Sequence, residues 1–338
     1  MNLNDPLQFT LLNQWQRGFP ICREPFDMLA RSLRVGTSEV IGAYTRLRDG
    51  GALSRIGGVF GAGAGGASLL AAMAVPAGRL GEVAAQVSSH PGVNHNYERE
   101  NRLNLWFVMT GRSGHEVEHG LCDLEEATGL PVLRLPMERP YGVDLAFDLR
   151  GHGAVHGSRP WATAVAPVDA GDVPLAALLE QGVPLVRRPF DLWARALSRH
   201  ADDVIDTVLR WLEAGTLRRF GVVVRHHELG YTANAMTVFD VPEDRVDACG
   251  HALAREPGIT LAYRRARAPG WPYNLYCMVH GKDHTAVRQV LADAIDGSGL
   301  MRRPHEVLFS LRRFKQTGAQ RFSLGLTADS YEEAHAAA

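Results

Sequence analysis

Hydrophobic and polar positions along this chain follow one plan, written twice. Leu7, Phe9, Leu11, Leu12 and Trp15 form an apolar set at helical spacing, which predicts an amphipathic helix over Leu7 to Gln16. A second helix is expected over Phe26 to Leu33, entered through Pro25 and Asp27. A third is expected to be capped by Thr37-Ser38-Glu39 and to stop at Asp49-Gly50-Gly51. Ala52 to Phe60 then reads as a β-ribbon, and three short helices with a ribbon is the plan of a winged helix-turn-helix.

The pattern then changes. Leu69 to Val75 reads as a strand and Gly81 to Ser89 as a helix. A Pro91-Gly92 turn and a polar run carrying His95, Tyr97 and Arg99 follow, and then an apolar strand from Asn104 to Met109. His115 to Thr128 reads as a helix and Pro131 to Leu149 as a last strand. The β-α-β-β-α-β order implies a ferredoxin-like αβ sandwich.

The second half repeats all of this. Pro20 and Pro184, Phe26 and Phe190, Gly51 and Gly215, and Arg55 and Arg219 share an offset of 164. The offset drifts to 166 at Pro91 and Pro257 and to 170 at Asn104 and Asn274, as small loop insertions require. Ala201-Asp202-Asp203 opens the second copy's third helix and Glu213-Ala214-Gly215 closes it. Its sandwich elements are Ala233 to Phe239, Glu243 to Arg255, Asn274 to Val279, His284 to Asp296 and Met301 to Phe314. The fold class is therefore α+β, a tandem duplication of a winged helix and a ferredoxin-like sandwich. The expected domains are winged helices over 1–60 and 173–224 and sandwiches over 61–150 and 225–328. A Gly-, Ala- and Pro-rich linker over 151–172 joins the halves, and the small polar tail from Asp329 is expected to fray.

Charge narrows the function. Thirty-six basic residues against 37 acidic ones leave a net charge of −1, without the basic surplus of a dedicated nucleic-acid binder. The third helices begin with Ser38-Glu39 and Asp202-Asp203, acids that suit the helix dipole and repel phosphates. DNA binding is not expected, and the helical domains read as scaffold. Cys22, Cys122, Cys249 and Cys277 are scattered and fit buried thiols in a reducing compartment. The N-terminus shows no basic stretch ahead of a long apolar core, and the apolar run Ala67 to Val75 is too short to span a bilayer. A soluble cytoplasmic protein is expected.

Three stretches carry a resemblance: HPGVNHNYERENRLNLWFV from His90, RRFGVVVRHHELGYTANAM from Arg218, and YRRARAPGWPYNLYCMVHG from Tyr263. A small winged helix before a ferredoxin-like sandwich looks like the Lrp/AsnC regulators. The three motifs resemble the siroheme decarboxylases within that superfamily, and two fused units resemble their D–L fusion. The resemblance covers nearly the whole chain. It implies removal of the C12 and C18 acetate carboxyl groups of siroheme, giving 12,18-didecarboxysiroheme for haem d1. It implies no cofactor, because iron enters inside the substrate. It also implies pairing of the two units within the chain, with related subunits or a homodimer as further partners. The chain departs from the pattern at Gly61 to Gly66, where the second copy has Arg225-His226-His227; those glycines fit a flexible or closely packed loop.

Such a reaction needs cations for the other carboxylates, a proton donor, and a dry aromatic cleft. Strand alternation puts His95, Tyr97 and Arg99 on one face. The second copy carries Leu261-Ala262 where the first has His95-Asn96. His95, His226, His227 and Tyr97 are the catalytic candidates, with one of the two adjacent histidines expected to face the site. Arg99, Arg225, Tyr231, Arg264, Arg265 and Trp271 are the substrate-binding candidates, with Tyr273 beside them. His115-Glu116-Val117-Glu118-His119 matches a zinc-protease string but has no third ligand after it, so it reads as a polar helix start and no protein-bound metal is expected. A haem- or amino-acid-sensing regulator and a non-catalytic tetrapyrrole carrier are the competing readings.

Overall fold

The computed structural model describes residues 5–143, 147–149, 153–154 and 165–322. The first half contains α1 (Pro6–Gln14), α2 (Pro25–Leu33), α3 (Thr37–Asp49), β1 (Leu53–Phe60), β2 (Ala67–Met73), α4 (Leu80–Ser89), β3 (Val93–Arg99), β4 (Leu105–Gly111), α5 (Gly114–Thr128) and β5 (Leu133–Val143). Two short strands, β6 (Phe147–Asp148) and β7 (Gly153–Ala154), pair with each other. The second half contains α6 (Val173–Gln181), α7 (Pro189–Ala196), α8 (Ala201–Ala214), β8 (Leu217–Val224), β9 (Ala233–Phe239), α9 (Val246–Leu253), β10 (Ile259–Arg265), β11 (Leu275–Gly281), α10 (His284–Gly297) and β12 (His305–Gln316).

These elements form two compact units, and each draws on both halves of the sequence. One is helical, with described residues 5–65, 165–225 and 320–322; the other is the sheet unit, with 66–143, 147–149, 153–154 and 226–319. Most of the expected linker and the tail from Asp329 lie outside the described residues. The second sandwich was expected to reach residue 328, but its unit closes at Ala319. Beyond that point the backbone N–H groups of Arg321 and Phe322 donate to Glu180 at 2.9 and 3.0 Å, inside the helical unit.

In the helical unit the expected ribbon is not a wing within each copy. β1 and β8, one strand from each copy, pair antiparallel with each other, centred on Gly57 opposite Gly221. Neither copy has a hairpin turn after its strand, so each strand satisfies its backbone groups on its duplicate. The two glycines are required by close approach. A Cβ on Gly57 would sit 2.6 Å from the Leu179 carbonyl at the end of α6, and one on Gly221 would sit 2.5 Å from the Trp15 carbonyl after α1. Phe19, Phe26, Tyr44, Phe190 and Phe220 fill the core beneath, edge to face or tilted. α3 also begins differently from expectation. Its N-cap is Gly36, Thr37 is already helical, and no side chain caps it. The Gly61–Gly66 run is a packed turn: Gly65 has φ +147°, and a Cβ there would meet the Phe322 ring at 2.6 Å.

The sheet unit contains both sandwiches. Each half keeps the ferredoxin-like order, β5-β2-β4-β3 and β12-β9-β11-β10. The last strands are the longest, 11 and 12 residues, and each borders both halves: β5 pairs with β2 and β10, and β12 pairs with β9 and β3. The eight strands thereby close into one barrel, which leaves no free edge. The expected last strand over Pro131 to Leu149 is shorter, ending at Val143. The polar run after Pro91-Gly92 is itself the strand β3. One core lies between each half-sheet and its helices, and a third, with Leu70, Trp106, Met236, Tyr263, Tyr276 and Leu308, lies on the inward faces.

Candidate active site

Strand alternation decides which side chains of β3 face inward. Asn96 points to the helix layer, its Nδ2 donating to the Ala84 carbonyl and to Ser88 Oγ at 3.0 Å each. His95, Tyr97 and Arg99 point the other way. The His95 and Tyr97 rings stack with centroids 6.4 Å apart and planes 20° apart, and the Arg99 guanidinium lies 5.5 Å from the Tyr97 ring centre. Arg99 is buried, and its Nη1 donates to the Leu308 carbonyl at 2.9 Å, with Asn234 Oδ1 at 3.5 Å. Asn234 Oδ1 also accepts from Ser310 Oγ at 2.7 Å.

This environment sets the protonation states. Burial, and then the nearby Arg99 cation, pushes His95 down to about 4, so its imidazole is neutral near pH 7. The Asn94 amide oxygen lies 3.0 Å from Nδ1, an arrangement that suits a proton on Nδ1 and a lone pair on Nε2. Burial raises the Tyr97 phenol, which stays protonated. Burial lowers Arg99 to about 10, which leaves it a cation at neutral pH. Of the catalytic candidates, neutral His95 can accept a proton or ligate iron, while Tyr97 beside it can donate.

β12 borders β3 and brings residues of the second copy alongside. Arg313 is the register partner of Tyr97. Its Nη2 donates to Glu228 Oε1 at 2.8 Å and its Nη1 to Gln316 Oε1 at 3.0 Å. Glu228 belongs to a 3₁₀ turn, His226–Leu229. His227 in that turn is exposed, with Nδ1 3.8 Å from Glu228 Oε1; the side chain of His226 lies outside the described residues. Tyr231 is buried just before β9. Arg225 ends the helical unit, with its backbone N–H on the Ala52 carbonyl at 2.9 Å, and is not part of the sheet unit.

The corresponding face of the second copy is filled by its own side chains. Tyr263 and Tyr276 stack at 5.9 Å, and Arg265 lies over both and donates to the Leu135 carbonyl at 2.6 Å. Arg264 was expected to bind substrate, but it faces the opposite side of β10 and is held by Glu138 at 2.6 Å, by Glu243, and by Asp247 at 3.8 Å. Trp271 was a substrate-binding candidate, able to stack on a macrocycle or to pack its loop. It is buried on the inward face, 5.3 Å from Trp106, with Nε1 donating to the Tyr276 hydroxyl at 2.8 Å. Tyr273 donates to Glu306 at 2.8 Å. The HExxH string is an exposed helix start: Ser113 Oγ accepts from the Glu116 N–H at 3.2 Å, and Glu116 accepts from the Arg112 N–H at 2.7 Å. Among the described residues no group of three or more His, Cys, Asp or Glu could hold a metal ion, and no helix is long and apolar enough to cross a membrane.

Relatives of the chain agree on one family. The AsnC-like ligand binding domain matches residues 64–141 and 228–315, and the siroheme decarboxylase NirDL-like HTH domain matches residues 10–53. The siroheme decarboxylase NirDL subunit of Paracoccus denitrificans is 44% identical over 320 residues, covering 93% of this chain and 97% of that protein. This chain belongs to the siroheme decarboxylase NirDL family. A solved siroheme decarboxylase NirDL superposes with a TM-score of 0.67 at 25% identity, covering 98% of this chain and 99% of that one. A second solved NirDL, in co-complex with an iron-uroporphyrin III analogue, gives the same TM-score at 26% identity, covering 99% of each chain. The separate NirL and NirD subunits of Stutzerimonas stutzeri each match 43% of this chain, at 43% and 44% identity. The D–L fusion of the family is thus visible in this chain as two copies sharing one barrel.

Sequence reasoning passed over Asn94, Asn234, Glu228 and Arg313. Arg313 was legible as part of the Arg312-Arg313 pair in the last strand, but only the β12–β3 register places it opposite Tyr97.

Proposed function

We propose that this chain decarboxylates siroheme, removing the C12 and C18 acetate carboxyl groups to give 12,18-didecarboxysiroheme on the route to haem d1. Membership of the siroheme decarboxylase family supports the reaction. The observation that carries the site is the inward ladder His95–Tyr97–Arg99 with Arg313 opposite Tyr97. Each of the two decarboxylations takes up one proton and releases one carbon dioxide. A ring carbon of the pyrrole is protonated, the bond to the carboxylate breaks, and its electron pair enters the ring system. The side-chain carbon is then protonated as the ring carbon gives up its proton, leaving a methyl group.

The chain's own residues suit these steps. Tyr97 holds a proton beside the reacting face, and Arg99 and Arg313 supply positive charge for carboxylates. Neutral His95 offers a lone pair to the iron that arrives within the substrate or to a proton in transit. Trp106, Leu70 and Met236 line the inward face and exclude water, which favours loss of the carboxylate's charge. No cofactor beyond the substrate's own iron is needed, and because both copies complete one barrel, we propose that no other subunit is required. Anaerobic incubation of the purified chain with siroheme, followed by mass spectrometry of the extracted tetrapyrrole, tests the proposal. Loss of two carbon dioxide masses is expected; siroheme bound and returned unchanged would replace the enzyme with a sensor or carrier.

A further inference from the structure

Each copy carries a β-bulge at the same place, and the two bulges hold different residues. In β3 the register slips between Val93 and His95, which leaves Asn94 as the extra residue; in β10 it slips between Ile259 and Leu261, which leaves Thr260. In the second copy the bulge side chain turns back on the sheet: Thr260 Oγ1 donates to the Met278 carbonyl at 3.0 Å and lies 3.1 Å from His280 Nδ1. In the first copy it reaches the neighbouring ring instead, with Asn94 Oδ1 on His95 Nδ1 at 3.0 Å. Regular alternation would send adjacent side chains to opposite faces, so the bulge is what lets residue 94 touch residue 95. Asn94 is itself fixed, being 4% exposed, with its carbonyl accepting from the Thr317 N–H at 2.8 Å.

We infer that Asn94 is a positioning residue: it holds His95 as the Nδ1–H tautomer, with the Nε2 lone pair on the ring's far side from Asn94. A neutral imidazole in water favours the other tautomer, Nε2–H, which would turn His95 from an acceptor into a donor on that side. The second nitrogen of a histidine sets the chemistry of the first, and here a neutral amide sets it without adding charge. The copy without the histidine carries Thr260 at the bulge and Leu261 after it. The importance of this for turnover rests on the siroheme-decarboxylating reading above; the tautomer itself does not.

The test is ¹⁵N NMR of the full chain labelled at histidine, without substrate, with His95→Gln used to assign its ring nitrogens. Wild type is expected to show a protonated Nδ1 and a bare Nε2. In Asn94→Ala the signals are expected to move toward the Nε2–H pattern. Asn94→Asp, which keeps an acceptor oxygen, is expected to hold the proton on Nδ1. A wild-type ring protonated at Nε2, or an Asn94→Ala ring still protonated at Nδ1, would overturn the inference. Should Asn94→Ala not fold, Asn94→Val, which also lacks the acceptor, makes the same comparison. An Nδ1–H ring in a chain that leaves siroheme unchanged would uphold the role of Asn94 and sink only the proposed reaction.

Discussion

Arg99 and Arg265 make the same contact in opposite directions across the barrel. Arg99 donates to the Leu308 carbonyl on β12 and Arg265 to the Leu135 carbonyl on β5, so each copy's arginine holds the other copy's last strand at the seam where the halves meet. Each also lies over the tyrosine two residues before it. A buried hydrogen bond from a charged donor contributes roughly 1.5–3 kcal/mol, and its loss leaves a carbonyl without that partner. Arg265→Met and Arg99→Met are therefore each expected to lower unfolding free energy by about 2 kcal/mol in urea titrations. Only Arg99→Met, on the face that carries His95, is expected to lower siroheme turnover more than about tenfold. Equal loss of turnover in both variants would remove Arg99 from the site.

Arg264, one residue away, should behave differently. It is partly exposed and sits among Glu138, Glu243 and Asp247. Surface ion pairs of this kind contribute about 0–1 kcal/mol, somewhat more in a network. Arg264→Gln is expected to shift stability by about 1 kcal/mol or less and to leave turnover at the wild-type rate. A variant that binds siroheme more weakly at equal stability would return Arg264 to the substrate.

The contrast between these neighbours shows what was legible. The duplication, the helix-turn-helix segments and the ferredoxin-like order follow from periodicity and constant offsets, because each is a local pattern repeated. The Tyr97/Arg99 and Tyr263/Arg265 pairs share the offset of 166, so the inward phase of β10 was present in the sequence, and Arg264 aligns with Glu98 on the other face. Barrel closure was not legible, because the partner of each strand's second edge lies far along the chain and leaves no mark on local composition. The β1–β8 pairing was hidden for the same reason. Trp271 could not be placed from sequence, because an aromatic in a Pro-Gly loop looks the same whether it stacks on a ligand or on Trp106.

The paired glycines of the helical unit give a prediction independent of any ligand. A methyl group on Gly221 would sit 2.5 Å from the Trp15 carbonyl, which already accepts the Val222 N–H at 2.8 Å. Backbone cannot swing aside as a flexible side chain does. Gly221→Ala is expected to cost roughly 1–3 kcal/mol, the range for overpacking, and to lower the midpoint of thermal unfolding. Gly78→Ala, where a Cβ meets nothing within 4 Å, serves as the neutral control.

The depressed His95 gives a pH dependence whose sign is fixed. The folded imidazole titrates at about 4, while an unfolded histidine titrates near ~6.5. Between these values the unfolded chain binds more protons, so this residue's contribution is fully present above about 6.5 and is lost as pH falls toward 4. The difference in urea midpoint between wild type and His95→Gln, followed from pH 7.5 to 4, is expected to shrink as the solution is acidified. A difference independent of pH would mean that His95 is not held neutral by the fold.

Tyr97 and His95 can be separated by what each substitution leaves behind. Tyr97→Phe keeps the ring that stacks on His95 and lies under Arg99, and removes only the hydroxyl. General acid catalysis contributes about 10²–10⁴-fold, so Tyr97→Phe is expected to bind siroheme normally and to lose kcat by about a hundredfold or more. His95→Ala removes the lone pair and the stacking partner without touching the phenol. If the imidazole meets the substrate's iron, His95→Ala should alter the visible spectrum of bound siroheme, and Tyr97→Phe should not. Stopped-flow turnover and anaerobic absorption spectra on the same two variants read both effects. A Tyr97→Phe enzyme with unchanged kcat would move the proton donor elsewhere, and the 3₁₀ turn carrying His226 and His227, joined to β12 through Glu228 and Arg313, would be the next place to look.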